Sequence, residues 1–349
     1  MSSVESEPGM VDLAAADAVR PQRDAEHPSA HAEPRLEQHR SELTGYCYRM
    51  LGSAFEAEDA VQETMVRAWR GLERFEGRSA LRSWLYRIAT NVCLDMLNGR
   101  QRRARPMDLG PASPAEFSAL GAARSEATWV EPIPDSRVLP DGGDPADVAV
   151  ARETIRLAFV AALQHLPPRQ RAVLILREVL RWKATEVADL LDTTVASVNS
   201  ALQRARATIA DHNPVATDPV DPIDDAQQAL LARYVDAFES YDLDALTSLL
   251  AEDATMSMPP HALWLQGHDD IRSWMLGPGI KCRGSRLVPV VANGSPAFGQ
   301  YKPSETDSGY EPWALHVLEM SAGQIIALNT FLDTARMFPL FGLPPRLDG

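Results

Sequence analysis

The sequence predicts a multidomain protein in which two all-α domains are followed by an α+β domain. Residues 36–105 and 147–213 both carry apolar side chains at three- and four-residue spacing, the period of an amphipathic helix. From residue 225 onward the pattern changes to two helices followed by short alternating runs, which predict strands at 254–258, 285–292, 296–301, 312–320 and 324–331. A length of 349 residues also favours two or three domains over a single core.

The composition is that of a globular protein outside the membrane. Hydrophobic residues make up 45% of the chain and charged residues 23%. No run approaches the roughly 18 apolar residues of a membrane span, and no secretion signal begins the chain, so we expect a cytoplasmic protein without a membrane partner. The three cysteines, Cys47, Cys93 and Cys282, lie far apart and outside any Cys/His cluster. We therefore expect neither a metal site, nor a disulfide framework, nor a cofactor.

The net charge of −14 is unevenly distributed along the chain. Residues 33–105 and 151–213 each have a net charge of +3, whereas residues 1–32, 106–150 and 214–349 have net charges of −4, −6 and −10. Nearly every basic side chain is an arginine, which suits bidentate contacts with phosphate and guanine. The two helical domains therefore keep basic surface on which nucleic acid can bind.

Changes in composition set the predicted domain limits. The segment between the helical domains is acidic and rich in proline, which is typical of a flexible linker, although Trp129, Val130 and Ile133 indicate that part of it docks. The predicted order is a disordered tail at 1–32, a helical domain at 33–105, the linker at 106–146, a second helical domain at 147–213, a short linker at 214–222 and the α+β domain at 223–349.

Residues 166–210 predict a helix-turn-helix. Pro167 and Pro168 end the preceding helix, and a short helix from Ala184 to Leu191 leads through a turn into a longer one, which Thr193 or Thr194 can cap. The longer helix has an apolar side and a polar side rich in arginine, as in a helix that reads the major groove. A hairpin packed only for stability would show the same pattern. The outward residues are Ser197, Asn199, Ser200, Gln203, Arg204 and Arg206, and the inward ones are Val195, Val198, Leu202 and Ile209.

Two helices of the first domain also have one polar side each. The helix predicted at 56–74 sets Asp59, Gln62, Glu63 and Arg67 opposite its apolar residues, among them Trp69, although a merely solvated face would look the same. The helix predicted at 81–103 carries a line of arginine and asparagine, residue types that suit phosphate and base-edge contacts. That line consists of Arg87, Asn91, Asp95, Asn98 and Arg102.

These features together resemble the extracytoplasmic-function group of the bacterial sigma-70 family. The run Asp59-Ala60-Val61-Gln62-Glu63-Thr64 and the later run LRSWLYRIATN at 81–91 are similar to region 2 of those factors. The run LPPRQR at 166–171, followed by the helix-turn-helix, is similar to their region 4. Both motifs occur in the family's order on either side of an acidic linker, and the resemblance covers residues 36–210.

The resemblance implies a promoter-specificity subunit without enzymatic activity. Its partners would be core RNA polymerase, through the β′ clamp helices and the β flap, and promoter DNA, which it would help to melt by capturing a flipped base. Clamp binding falls on Asp59, Gln62, Glu63 and Arg67. Recognition of the −10 element falls on Glu76, Arg78, Ser79, Arg87, Asn91, Asp95 and Arg102. Recognition of the −35 element falls on Ser197, Asn199, Ser200, Gln203, Arg204 and Arg206. Basic residues common in the family are replaced by Asn199 and Ala201, which implies an unusual −35 sequence or weaker binding.

Residues 223–349 resemble the SnoaL-like members of the nuclear transport factor 2-like superfamily. The resemblance implies a cone-shaped α+β fold with an apolar pocket and, in this setting, a built-in regulator of the factor. In enzymatic relatives a pocket carboxylate or histidine abstracts a proton, and the candidates here are Asp253, His261, Tyr310 and His316. Two other functions stay open: an enzyme or ligand sensor fused to a DNA-binding module, and a repressor independent of polymerase. The sequence also leaves open a small-molecule ligand in the pocket and an anti-sigma partner. The apolar tail from Met337 to Pro345 either seals a core or docks as a peptide.

Overall fold

The computed structural model of the chain describes residues 32–72, 75, 80–139, 144–212 and 224–349. The predicted short linker at 214–222 and, apart from Ala32, the predicted disordered tail lie outside the described residues. None of the described helices combines the length and the apolar composition that a membrane crossing requires.

The first helical domain contains α1 (Ala32–Glu37), α2 (Arg40–Leu51), α3 (Ala54–Gly71) and α4 (Leu81–Leu97). Gly52 takes a left-handed conformation with φ of 72° and ends α2, and the Ser53 hydroxyl then accepts the Glu56 N–H to cap α3. Small residues of α3 such as Ala60 and Ala68 are fully buried, which brings α3 close to its neighbours. Trp69 is 58% exposed, so its predicted place on the apolar side is wrong. It lies beside, rather than within, the buried arc of α3.

The proline-rich segment differs from the flexible linker that its composition predicts. It forms short 3-10 turns at Pro106–Asp108, Phe117–Leu120 and Glu126–Thr128, and then α5 (Asp135–Val138). Its backbone bonds to the C-terminal domain, where Ser113 N–H donates to the Trp264 carbonyl at 2.8 Å and Arg124 N–H to the Pro260 carbonyl at 2.9 Å. Trp129, Val130 and Ile133 are buried. Docking of these apolar residues and pairing of the backbone fix the described part of the segment.

The second helical domain contains α6 (Pro145–Glu153), α7 (Leu157–Gln164), α8 (Pro168–Leu174), α9 (Ala184–Leu190) and α10 (Val195–His212), with a π-helical turn at Ile175–Val179 after α8. The buried Arg171 guanidinium joins this domain to the first one. It donates to the Gln164 side-chain oxygen at 2.6 Å, to the Leu166 carbonyl at 3.1 Å and to the Met50 carbonyl at the end of α2. The two helical domains therefore share one hydrophobic core.

The C-terminal domain is the predicted α+β unit. Its helices are α11 (Asp225–Ser240), α12 (Leu243–Ser248), α13 (His268–Leu276) and α14 (Thr334–Leu340), with a 3-10 turn at Pro278–Cys282. Its strands are β1 (Leu250–Ser257), β2 (Trp264–Gln266), β3 (Arg286–Ala292), β4 (Ser295–Pro303), β5 (Tyr310–Ser321) and β6 (Gln324–Phe331), in the sheet order β2-β1-β6-β5-β4-β3. The sheet is mixed, because β1 pairs with β6 in parallel whereas the other neighbouring strands are antiparallel.

The two faces of this sheet have different covers. Even-numbered residues of the central strands, such as Phe298 and Leu318, pack beneath α11, α12 and α13. Odd-numbered residues, such as Tyr301 and Val317, join the core of the helical domains. The apolar tail also covers this second face, where Phe338 is 1% exposed and lies edge-on to Tyr301 at a ring distance of 5.1 Å. The tail therefore seals a core, the first of the two alternatives.

Candidate functional site

Helix α10 presents a continuous polar face. Val198, Leu202 and Ala205 are buried against the rest of the second helical domain, at the spacing of one helical side. The Thr194 hydroxyl accepts the Ser197 N–H at 3.1 Å, so Thr194 is the cap. Val195, predicted to be inward, is 39% exposed because it begins the helix beyond the buried stripe. The exposed side chains include all six of the predicted −35 set: Ser197, Asn199, Ser200, Gln203, Arg204 and Arg206.

The arginines of this face are held by short-range contacts. Arg204 donates to the Ser200 hydroxyl at 2.9 Å, one helical turn away. Arg206 pairs with Glu178 at 2.6 Å, and both side chains are largely exposed. Exposed pairs of this kind contribute little stability, so phosphate can replace the carboxylate at small cost.

Helix α3 sets the four predicted clamp residues on one exposed face. Asp59, Gln62, Glu63 and Arg67 are all exposed, opposite the buried side of the helix. Glu63 and Arg67 form an ion pair of 2.7 Å across one turn. Arg67 also approaches Asp95 of α4 at 3.7 Å, so the faces of α3 and α4 adjoin.

Helix α4 exposes Arg87, Asn91 and Asp95 along one side, as the −10 prediction requires. The helix ends at Leu97, however, and Gly99 turns the chain with φ of 73°. The prediction that Arg102 continues this helical line is therefore wrong; its guanidinium contacts His165 of the second helical domain instead. Glu76, Arg78 and Ser79 lie outside the described residues.

The second helical domain contacts the predicted −10 face of α4. Arg87 donates to the Asp189 carbonyl of α9 at 2.8 Å. Close by, Tyr86 is buried and its ring lies 5.1 Å from that of Trp182. The Tyr86 ring is therefore not free to stack on an unpaired base in this arrangement. The predicted −10 face of the first helical domain is therefore partly covered by the second helical domain.

The interior of the C-terminal domain holds a row of polar side chains that are hydrogen-bonded to one another. It does not bring together the four residues predicted as candidates for proton abstraction. The Tyr234 hydroxyl and the Gln300 side-chain oxygen lie 2.9 Å and 2.8 Å from the two ring nitrogens of His316, and Gln300 donates on to Ser285 at 2.9 Å. Burial lowers the pKa of His316 to about 4, so the ring is neutral at pH 7. The other candidates are not brought to it: Asp253 is exposed, His261 contacts the Gly121 carbonyl, and Tyr310 lies near the end of the sheet beside Leu347.

This histidine predicts a stability loss in mild acid. The folded pKa lies below the unfolded value of 6.5, so the unfolded chain binds the extra proton and stability falls as pH drops through 6.5 toward 4. Between pH 8 and pH 5 the C-terminal domain should lose about 2 kcal/mol from His316 alone. Urea unfolding of the full chain at both pH values measures the loss. His316→Gln should reduce the pH dependence, and an unchanged dependence in that variant would contradict the assignment.

The β3–β4 hairpin of the C-terminal domain reaches into the helical domains. Its turn, Asn293-Gly294, has φ of 57° and 68°, the two left-handed residues of a tight hairpin turn. Asn293 is fully buried, and its side-chain nitrogen lies 2.6 Å from both the Tyr48 hydroxyl of α2 and the Ile155 carbonyl before α7. Its side-chain oxygen accepts the Ile133 N–H at 2.9 Å. One side chain therefore joins both helical domains, the connecting segment and the C-terminal domain.

A partly buried ion pair reinforces this junction. Glu131 is 3% exposed, accepts a hydrogen bond from Ser53, and pairs with Arg336 of α14 at 3.0 Å. The Arg336 guanidinium also lies over the Phe55 ring of α3, 4.1 Å from its centroid. Burial raises the pKa of Glu131, which the Ser53 hydrogen bond and the nearby arginines oppose.

Sequence reasoning missed Asn293, Glu131 and Arg336. An available signal was the Asn-Gly pair between two alternating runs, which predicts a hairpin turn but gives no hint that its tip is buried. Nothing local distinguishes Glu131 or Arg336 from surface charges. Their role depends on partners distant along the chain, Ser53 and Phe55 among them.

Comparisons with known proteins assign the three folded parts. Family models match at 36–103 (sigma-70 region 2), at 156–209 (sigma-70, region 4) and at 231–328 (SnoaL-like domain). The ECF RNA polymerase sigma factor SigG of Mycobacterium tuberculosis is 48% identical over 322 residues, which span 91% of this chain and 84% of that protein. The chain belongs to the extracytoplasmic-function sigma factors. It is thus an RNA polymerase sigma factor that binds core polymerase and promoter DNA.

Two further comparisons extend over the C-terminal domain. The ECF sigma factor SigJ of the same organism is 27% identical over 245 residues, which span 68% of this chain and 70% of that protein. A crystal structure of SigJ from Mycobacterium tuberculosis superposes with a TM-score of 0.57 at 22% identity, covering 90% of this chain and all of the other. The arrangement of two sigma domains before a SnoaL-like domain is therefore shared at the level of fold.

Proposed function

We propose that this sigma factor uses three exposed faces in initiation and that its C-terminal domain keeps them from acting together. The domains are those delimited from sequence, with DNA-reading domains at 33–105 and 147–213 and the regulator at 223–349. The α3 face would bind the β′ clamp helices, the α4 face would read and open the −10 element, and the α10 face would read the −35 element, with the second helical domain also meeting the β flap.

One observation carries the regulatory part of this proposal: Arg87 on the −10 face donates to Asp189 of the −35-reading domain. The two promoter elements are separated by roughly 25 base pairs, which at about 3.4 Å each amounts to roughly 85 Å of duplex. Helix α9 packs on both α4 and α10, so one short helix separates the two reading helices. They cannot contact both elements until the domains separate.

The C-terminal domain supports this closed arrangement because it contacts every part that would have to move. Asn293 holds Tyr48, Ile133 and Ile155 at once, and Arg336 holds Glu131. We therefore propose that the C-terminal domain inhibits promoter binding in the protein that is not bound to core polymerase. Binding of core polymerase to the α3 face would supply the free energy that opens it.

The alternative, a small-molecule enzyme of the SnoaL-like type, has less support from the described residues. Both ring nitrogens of His316 have hydrogen-bond partners, and Asp253 lies at the surface. We propose that the domain has no catalytic role. Run-off transcription with core polymerase on genomic promoters tests the main proposal: initiation that depends on the added protein supports it, and failure on every promoter with folded protein overturns it.

A contrast between two α10 residues tests DNA reading. Arg206 carries an exposed charge, so Arg206→Ala should weaken binding about equally on all promoter sequences and reduce the slope of log affinity against log salt by about 1. Electrophoretic mobility shifts over a salt series with a −35 DNA library measure both quantities. A sequence-selective effect of Arg206→Ala would mean that the groove-facing side of α10 is a different one.

Gln203 serves as the matched comparison, since it is exposed on the same helix and carries no charge. A side-chain amide suits bidentate pairing with adenine. Gln203→Ala should therefore relax the preference at one −35 position by about 1–3 kcal/mol and leave the salt slope unchanged. Equal losses on all sequences would remove Gln203 from base reading.

A further inference from the structure

A cavity of about 400 Å³ lies between the connecting segment and the C-terminal domain, outside the cone interior. The connecting segment supplies one wall, the Pro259-Pro260-His261 turn a second, and the stretch from Phe331 to Met337 a third. The volume is within the range of small-molecule sites, which are commonly found where two parts of a protein meet.

The cavity is apolar on one side and polar at its mouth. Trp129, Phe331 and Met337 are each at most 5% exposed and, with Pro259 and Leu332, make the apolar side. The indole N–H of Trp129 is buried and finds no acceptor among the described residues. An atom without accessible surface cannot be reached from the cavity, so hydrogen bonds to a ligand would come from the mouth rather than from this wall.

Charges around the cavity balance, which argues against an ionic ligand. Glu131 lies 3.0 Å from Arg336 and 3.9 Å from Arg103, and Asp333 lies 3.6 Å from Arg336. The remaining charges at the mouth, Arg124 and Glu126, are exposed and of opposite sign. No net field therefore selects an anion or a cation, whereas the N–H groups of Arg124 can donate to a neutral oxygen.

We infer that this cavity binds a neutral ring compound with an apolar body and a carbonyl or hydroxyl oxygen at one end. Its apolar body would lie against Phe331, Leu332 and Met337, and its oxygen would accept from Arg124 at the mouth. The ligand would bridge the connecting segment and the C-terminal domain. The effect on activity rests on the proposed function: a ligand bound in the cavity would favour the closed form and lower transcription.

A matched pair of probes tests the site on the full-length protein: 1-tetralone, and tetralin, which has the same ring system without the oxygen. Isothermal titration should give saturable binding of 1-tetralone, about tenfold tighter than tetralin. Leu332→Phe narrows the cavity and should abolish binding of both compounds. Arg124→Leu should weaken binding of 1-tetralone alone, and Arg137→Leu, on the same segment but away from the cavity, should change the binding of neither compound.

The outcomes separate this inference from the regulatory proposal. No saturable binding of 1-tetralone up to its solubility limit, or equal affinity in wild type and in both Leu332→Phe and Arg124→Leu, overturns the site. Arg124 is exposed, so its variant stays informative even if Leu332→Phe fails to fold. Binding as expected without any change in run-off transcription would retain the site and contradict the coupling to closure.

Discussion

Replacing Asn293 with alanine should raise transcription from a cognate promoter by about tenfold or more. The change removes the hydrogen bonds to Tyr48, Ile133 and Ile155 and leaves buried groups unpaired, at about 1–3 kcal/mol each. Alanine in the left-handed conformation adds roughly 1–2 kcal/mol. Only the hydrogen bonds are confined to the closed form, whereas the backbone cost falls on the hairpin in both forms. Loss of the bonds therefore shifts the equilibrium toward separated sigma domains, and each 1.4 kcal/mol is worth about tenfold.

Multiple-round run-off transcription with saturating promoter and limiting sigma factor measures the effect. Ala322→Gly is the matched control, because Ala322 has φ of 49° in the exposed β5–β6 turn of the same sheet and lies away from the helical domains. Hydrogen exchange at the Ile133 N–H reports whether the junction has loosened. A loosened junction with unchanged or lower transcription would show that the hairpin does not inhibit.

Reversing the charge of Glu63 should weaken binding to core polymerase by about 1–3 kcal/mol, which is about fivefold to 160-fold. Glu63 is exposed beside Asp59 and Gln62, so one partner surface can contact all three. Glu63→Arg also removes the 2.7 Å pair with Arg67 and sets two arginines one turn apart, which changes the field of the whole face. The fold should persist, because this face of α3 is solvent-exposed.

Titration of core polymerase by fluorescence anisotropy of labelled sigma factor measures this loss. Glu37→Arg is the matched control: Glu37 is also exposed and paired with an arginine, Arg40 at 2.6 Å, but lies on α1. Binding of isolated −35 DNA should be unaffected in both variants. Equal core affinities of wild type and Glu63→Arg would exclude this face of α3 from the polymerase interface.

The sequence predicted best those features that depend on local periodicity. The exposed face of α10 and the buried Val198 and Leu202 follow from a 3.6-residue repeat, which needs no knowledge of the partner. The same reasoning predicted Trp69 to be on the apolar side of α3. A sequence repeat shows where the apolar side is centred, but it does not show how much of the helix surface neighbouring helices bury. It also carried Arg102 along a helix that Gly99 ends.

Features made by distant partners could not be predicted in this way. The connecting segment has the proline content of a flexible linker, yet Trp129 and Ile133 are buried by parts of the chain more than a hundred residues away. In the sequence, Asn293 and the glycine after it look like an ordinary hairpin turn. The burial of Asn293 depends on three surfaces that meet only in the folded protein. Composition indicates how flexible a segment is on its own, whereas tertiary contacts decide whether it remains flexible in the folded protein.

The position of the hairpin in the chain orders events during synthesis. Helix α10 ends at His212, whereas Asn293 is made some eighty residues later. At bacterial elongation rates of about 5–20 residues per second, that interval lasts roughly 4–16 s. Each nascent chain thus completes both DNA-reading domains before the residue that joins them exists. The hairpin that joins the domains is therefore made after both helical domains have emerged from the ribosome. Inhibition by the hairpin can begin only after the parts that it inhibits have been synthesised.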